Sequence, residues 1–489
     1  MDQETSSTFD VLIIGAGLSG IGMACHLAME HPQLRVALIE RRAAMGGTWD
    51  LFRYPGVRSD SDMFTFGYAF RPWHALDVMA DGDAIRHYVI DTAREYGVDG
   101  KIHYGLKVLT SSWSSAQRRW RVQVLDEARG ETRDFSARFL IVCTGYYNYD
   151  RGYLPVFPGI DRYQGQCVHP QQWPPGLDYR GKRVVVIGSG ATAVTLVPAM
   201  AGDAAHVTMV QRSPSYILSL PSYDKISAVM QRVLPKSLVF RMARRRNIFL
   251  TRFIYKAARR WPDKVRAFLI GGVRRKLGEG ADMRHFTPAY EPWDQRLCIV
   301  PDGDLFAAIK SGKASVVTDC IARFTERGIQ LTSGDELDAD IVITATGLSM
   351  QTLGGMNLEV DGQPRVMGEL ITYKSVLLQD TPNFAYIFGY SNAAWTLKAD
   401  LAAKYVCRLL AHMRESGIEV VTPRAPDDER QAESILGALT SGYVQRGAPV
   451  LPKQGRSLPW RVLNNYERDC EMLLKQPVAD EALEMVTAR

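Results

Sequence analysis

Two turns of one glycine pattern occur in this chain: Gly15-Ala16-Gly17-Leu18-Ser19-Gly20 and Gly188-Ser189-Gly190-Ala191-Thr192-Ala193. Val11-Leu12-Ile13-Ile14 leads into the first and Arg183-Val184-Val185-Val186-Ile187 into the second, and each turn opens a helix-like stretch. An aliphatic strand, a glycine turn and a helix in that order begin a βαβ unit, whose glycines bring backbone N–H groups up to a pyrophosphate at the helix N-terminus. Such units need a parallel sheet covered by helices. The expectation is an α/β chain with two Rossmann-like dinucleotide-binding domains. Two dinucleotides in one chain point to electron transfer between them.

The residues after each turn separate the two sites. Beyond Gly15, Gly17 and Gly20, the strand-like Arg35-Val36-Ala37-Leu38-Ile39 ends in Glu40, a carboxylate placed to accept hydrogen bonds from ribose hydroxyls. Beyond Gly188, Gly190, Ala191 and Thr192, the strand-like Val207-Thr208-Met209-Val210 ends in Gln211-Arg212, with Ser213 next. A guanidinium grips a phosphate with two parallel hydrogen bonds, so Arg212 suits the 2′-phosphate of NADPH.

Two further aliphatic runs close on Thr-Gly, at Phe139 to Gly145 and at Ile341 to Gly347. They mark where the chain leaves one nucleotide domain and comes back. This divides the chain into a first domain built from 1–150 and 335–489 and an inserted NADPH domain at 151–334, with a basic helical insertion at about 215–290. With 489 residues, 46% hydrophobic and 23% charged, the chain has the composition of a globular protein of two or three domains. The polar start Met1 to Phe9 lacks a basic region and no apolar stretch is long enough to span a bilayer, so a cytoplasmic protein is expected. Seven cysteines form no CxxC pair and no metal-ligand cluster. Neither a dithiol reductase nor a metal site is expected.

Charge is unevenly distributed. Residues 232–276 carry fifteen Lys and Arg against one acid, Asp263, which more than accounts for the net charge of +6. Phe240, Ile248, Phe249, Phe253, Ile254 and Trp261 are interleaved at helical spacing. Two readings stand: a surface that lies on an anionic membrane, and a helical insertion that snorkels its arginines into water. No nucleic-acid module accompanies the charge, and nucleic acid is not an expected partner.

Between the two turns stands Tyr163-Gln164-Gly165-Gln166-Cys167-Val168-His169-Pro170-Gln171-Gln172-Trp173-Pro174. This resembles the signature of the Baeyer–Villiger monooxygenases, class B flavoprotein monooxygenases, with Tyr163 in place of their Phe and with Gly165, His169 and Trp173 at the defining positions. Gly46-Gly47-Thr48-Trp49 and Arg53 to Met63 are similar to the family's flavin loop. Pro292-Trp293, Asp294-Gln295-Arg296-Leu297, Gly389 to Lys398 and Pro459-Trp460-Arg461 resemble the branch that contains the mycobacterial ethionamide-activating monooxygenase.

The resemblance implies FAD in the first site, NADPH in the second, and insertion of one atom of O2 into a ketone through a flavin C4a-peroxide to give an ester or lactone. Sulfides and thiocarbonyls are implied as further substrates. It implies that Arg296 stabilises the anions of the reaction and that Asp60 positions Arg296. Gly47, Thr48, Trp49 and Trp395 would contact cofactor, and His169 with Trp173 would form a hinge or a cofactor contact. Gln295 stands where the ketone-oxidising branch has a Lys that helps bind the 2′-phosphate, which leaves that work to Arg212 and Ser213. Bland alternatives stand beside these. Asp60 suits the cap of a helix starting at Met63, Arg296 a surface charge, and the two tryptophans a core. Two other functions also fit two dinucleotides: a dedicated S- or N-oxygenating monooxygenase, and a reductase passing NADPH electrons to a partner protein.

Overall fold

The computed structural model describes residues 7–437 and 439–488. Strand β1 (Thr8–Ile14) enters the core with Val11 to Ile14 at most 4% exposed, because a central strand of a parallel sheet is covered on both faces. Helix α1 (Leu18–Glu30) carries the chain over the sheet to β2 (Val36–Ile39), which pairs in parallel with β1. Then come α2 (Thr48–Leu51), α3 (Met63–Phe66), α4 (Gly82–Glu95) and β3 (Ile102–His103), the last completing the edge beside β2. An antiparallel meander follows: β4 (Leu106–Ser114), β5 (Arg119–Asp126) and β6 (Glu131–Val142). The second half of β6 runs parallel to β1 on one side and to Phe384–Tyr386 on the other. One strand thus joins the meander to the parallel sheet.

Strand β7 (Tyr147–Gly152) leaves this domain, and Leu348–Met350 returns antiparallel to it. The second domain hangs on that ribbon. Its all-parallel sheet has β8 (Gln166–Val168) at one edge, then Ile341–Thr344, β9 (Arg183–Ile187), β10 (His206–Gln211) and Ala314–Thr318. Helix α5 (Ala191–Met200) connects β9 to β10. The strand Ile341–Thr344, assigned by sequence to the first domain, pairs with Val184 to Ile187. The return therefore falls after Thr344, later than the expected boundary at 335. Between β10 and Ala314 the chain makes an excursion through α6 (Lys225–Met230), α7 (Lys236–Arg260) and α8 (Pro262–Leu277).

Glycine is forced where the first helix crosses its strand. A Cβ on Gly20 would lie 1.9 Å from the Gly15 carbonyl oxygen, whereas one on Gly190 meets nothing within 4 Å. Gly20→Ala is expected to lower the melting temperature by the several degrees that about 1–3 kcal/mol of overpacking produces, and Gly190→Ala to leave it nearly unchanged. Thermal unfolding followed by circular dichroism checks the pair.

Candidate active site

The first glycine turn lies at the carboxyl ends of β1, β2 and β6, where parallel sheets bind their ligands. Gly15 adopts φ +100° and donates its N–H to the Ile39 carbonyl at 2.8 Å; a Cβ there would meet the Cys143 carbonyl oxygen at 2.7 Å. Gly17 caps α1 with backbone alone, so no side chain occupies the first amides of the helix. Glu40 is buried, accepting the Ala16 N–H at 2.8 Å and the Arg42 N–H at 2.9 Å. Burial pushes its carboxyl above the usual range, against those two bonds. Gly46 and Gly47 turn with φ of +122° and +56°, and a Cβ on Gly47 would come 2.9 Å from Gly17. The two glycine backbones thus pack directly against each other and together line a slot.

The slot has a cavity volume of about 250 Å³ and opens to solvent. Thr48 and Trp49 line it beside Gly47; Asp60, Thr144, Tyr146, Arg296 and Trp395 line it further along. Trp395 donates its indole N–H to Ser19 Oγ at 2.8 Å and stacks on Tyr146 with ring centroids 5.3 Å apart. Gly389 makes room for that ring, since a Cβ would overlap it at 2.2 Å. Trp49 packs edge-on to Phe66 at 5.7 Å. Both tryptophans therefore belong to the slot wall and to the core.

Arg296 is the anomaly of the site. Its Nε is buried with no hydrogen-bond partner, and among the described residues its guanidinium forms no ion pair. Burial opposes the charge and the nearby Asp60 carboxylate favours it, so the guanidinium stays protonated among the uncharged phenols of Tyr146, Tyr147 and Tyr443. Thr144 Oγ1, on the same wall, is also buried without a partner. Two unpaired buried donors on residues that line one cavity suit an anionic or carbonyl-bearing occupant. Asp60 does not cap α3. Asp62 does, accepting the Thr65 N–H at 3.1 Å, which corrects the capping alternative and leaves the Asp60 carboxylate in the slot.

The second turn is open. Gly188 adopts φ +138° against the Ala345 carbonyl, α5 starts at Gly190 without a side-chain cap, and Gly190 and Ala191 are exposed with Thr192 half-buried. Arg212 and Ser213 are exposed beside it, and Ser189 donates its hydroxyl to the Ser213 carbonyl at 3.0 Å. Arg212 has no ion pair among the described residues. Gln295 pairs through its backbone with Pro292, in the loop before Arg296.

The signature segment clamps the ribbon between the domains. The His169 Nδ1 accepts the Gln171 N–H at 3.2 Å, so Nε2 donates to the Gly347 carbonyl at 3.1 Å; burial lowers the imidazole pKa and keeps it neutral. The Gln171 amide donates to the Asn148 carbonyl at 2.6 Å, and Gln172 to that of Asp150. Gly165 has no room for a Cβ, which would meet Tyr163 Oη at 2.3 Å, and Trp173 packs on the second-domain core.

Sequence reasoning missed several residues here. Tyr54 is half-buried against the second-domain core, its phenol pushed up to about 12 by desolvation against a hydrogen bond with Thr192 of the second glycine turn, and Arg58 reaches Asp304 at 2.6 Å. The Arg53 to Met63 loop of one domain is thereby pinned to the other. Tyr146 and Tyr147 follow Thr144-Gly145 directly, and their position after a parallel strand could have flagged them. Tyr443 arrives from the C-terminal part and carried no signal.

The flavin-binding monooxygenase-like family matches residues 9–377. The chain belongs to this family. It is 60% identical to MymA of Mycobacterium tuberculosis, covering 98% of each chain, and 50% identical to the FAD-containing monooxygenase EthA of Mycolicibacterium smegmatis, again covering 98% of each. Its fold matches an oxidized steroid monooxygenase bound to NADP with a TM-score of 0.78, at 22% identity over 98% of this chain and 100% of that one. A complex of OTEMO with FAD and NADP matches with a TM-score of 0.74, at 20% identity over 98% and 99% of the two chains.

Cap and slot roles separate by substitution. Asp62→Ala should destabilise the family fold here by about 1 kcal/mol, the usual cost of a lost helix cap, and Asp60→Ala should not. Urea unfolding of both variants measures the difference.

Proposed function

We propose that this chain is an NADPH- and O2-dependent monooxygenase that converts ketones to esters or lactones and also oxidises sulfides, with FAD in the first slot and NADPH at the second turn. The observation that carries the reading is the unpartnered Arg296 guanidinium facing the first slot. FAD bound there would take electrons from NADPH, deliver one oxygen atom of O2 to the substrate and reduce the other to water.

The chain's own residues fit that group. Gly17 and Gly47 line the slot with no side chain, Glu40 offers its carboxylate to a ribose, and the bare N-terminus of α1 offers amides to a pyrophosphate. Oxygen insertion into a ketone puts negative charge on the carbonyl oxygen as its carbon is attacked. Arg296 supplies a fixed cation in a water-poor site where such stabilisation is strongest. The Asp60 carboxylate nearby favours its charged form. His169 holds the ribbon between the domains and, being neutral, is a positioning residue.

Arg296→Ala should keep its yellow flavin and still accept electrons from NADPH, yet form no ester and release the electrons as hydrogen peroxide. Ketone oxygenation at near the parental rate would place the reaction on another residue. Arg212→Ala should lose about 1.5–3 kcal/mol with NADPH, roughly ten- to a hundredfold in kcat/KM, with little change for NADH. Steady-state kinetics with both donors tests this, and a native preference for NADH would overturn the assignment of the second turn.

A further inference from the structure

The excursion α6–α8 presents an amphipathic face that the proposed chemistry does not use. On α7 the inward side is Phe240, Ala243, Arg244, Asn247 and Ala258; the opposite side shows Met242, Arg245, Phe249, Phe253, Lys256 and Arg260. Phe249 is 64% exposed, Phe253 56%, and Phe268 on α8 63%, with Phe249 and Phe253 stacked at 6.3 Å in full view of solvent. Half of the large apolar side chains that the described residues leave exposed fall between Tyr223 and Phe268.

Charge accompanies these rings without compensation. Helix α7 contains no acid and α8 only Asp263. Among the basic residues here, Arg246, Arg252, Arg259 and Arg266 have acidic partners and Arg244 is spent on backbone carbonyls; Arg241, Arg245, Lys256, Arg260, Lys264, Arg274, Arg275 and Lys276 have no acid within ion-pair reach among the described residues. A snorkelling insertion accounts for exposed arginines but not for exposed phenylalanines between them. No helix among the described residues is long and apolar enough to cross a bilayer. Aromatic rings set among unpaired cations, on a helix anchored by its other side, fit a surface that dips into an anionic headgroup layer.

The anchoring side is firm. The Arg244 guanidinium donates to the carbonyls of Phe64 and Gly67 at 2.8 and 2.9 Å, closing the end of α3, and Asn247 donates to Asp62 at 2.8 Å. Arg259 pairs with Asp294 at 2.8 Å and Tyr255 packs on Trp293, in the loop that leads to Arg296. Helix α7 therefore touches the chain on both flanks of the slot.

We propose that the outer face of α7 and α8 is a peripheral docking surface for anionic lipid bilayers. The flavin-loaded protein is mixed with vesicles of phosphatidylcholine alone or with phosphatidylglycerol added, and sedimented at low and high salt. Binding is expected only to the anionic vesicles, weakening at high salt as screening shortens the reach of each charge. The triple variant R241E/R245E/K256E should bind on the order of a hundredfold more weakly. The triple variant F249S/F253S/F268S, with every charge intact, should bind at least about tenfold more weakly. Circular dichroism confirms that each variant is folded, since all six side chains are outside the core. Failure to sediment with anionic vesicles overturns the proposal. So does a serine variant that binds them like the parent, or equal binding of parent and serine variant to duplex DNA at the affinity shown for vesicles, either of which would mark a plain polyanion surface.

Discussion

A guanidinium half-buried in a slot wall, with its Nε buried and unpaired and no carboxylate at ion-pair distance, is costly to place, and the site is arranged around keeping Arg296 in that state. Tyr146, Tyr147 and Tyr443 converge from different parts of the chain, and Asp60 contributes its charge without reaching ion-pair distance. The carboxylate favours the cation while no tight ion pair ties up its donors. A tight salt bridge would have been more stable, but it would have consumed the donors that the slot needs. The arrangement has the form of electrostatic preorganisation, in which the cost of placing a charge is met during folding rather than during reaction.

That placement depends on two domains meeting in one register. The first glycine turn and the slot belong to the meander-bearing sheet, whereas Arg296 comes from the excursion of the second domain, just before Cys298–Pro301. Three contacts align them: Tyr54 against Thr192, Arg58 with Asp304, and the clamp of His169, Gln171 and Gln172 on the connecting ribbon. The signature segment is thus explained by where the chain crosses between domains. Its histidine is a hydrogen-bonding strut with a lowered pKa, and its glycine is demanded by the Tyr163 ring.

Sequence revealed what local sterics dictate. The two glycine turns, their strands and their helices were readable because positive φ at Gly15 and Gly188 and the close crossing at Gly20 leave few other residue choices. Glu40 was readable because it ends the next strand. What escaped depends on pairing between distant segments. Ile341–Thr344 joins the second sheet through its register with β9, which no local pattern announces. Asp60 and Asp62 both stand before the helix start expected at Met63, and it is the Thr65 N–H donated to Asp62 that decides which one caps it. The tyrosines around Arg296 have no shared motif, and the partners of the basic residues on α7 become visible only when the helix is seated.

The central claim is that Arg296 serves oxygen insertion from O2 in this slot. The most direct measurement supplies purified protein with NADPH, an unlabelled ketone and 18O2 in ordinary water, and reads the product by mass spectrometry. The account predicts one 18O atom per ester, at the ring or chain position of insertion, with one NADPH consumed for each. An ester free of label, or NADPH oxidised with no oxygenated product from any ketone or sulfide offered, would contradict it.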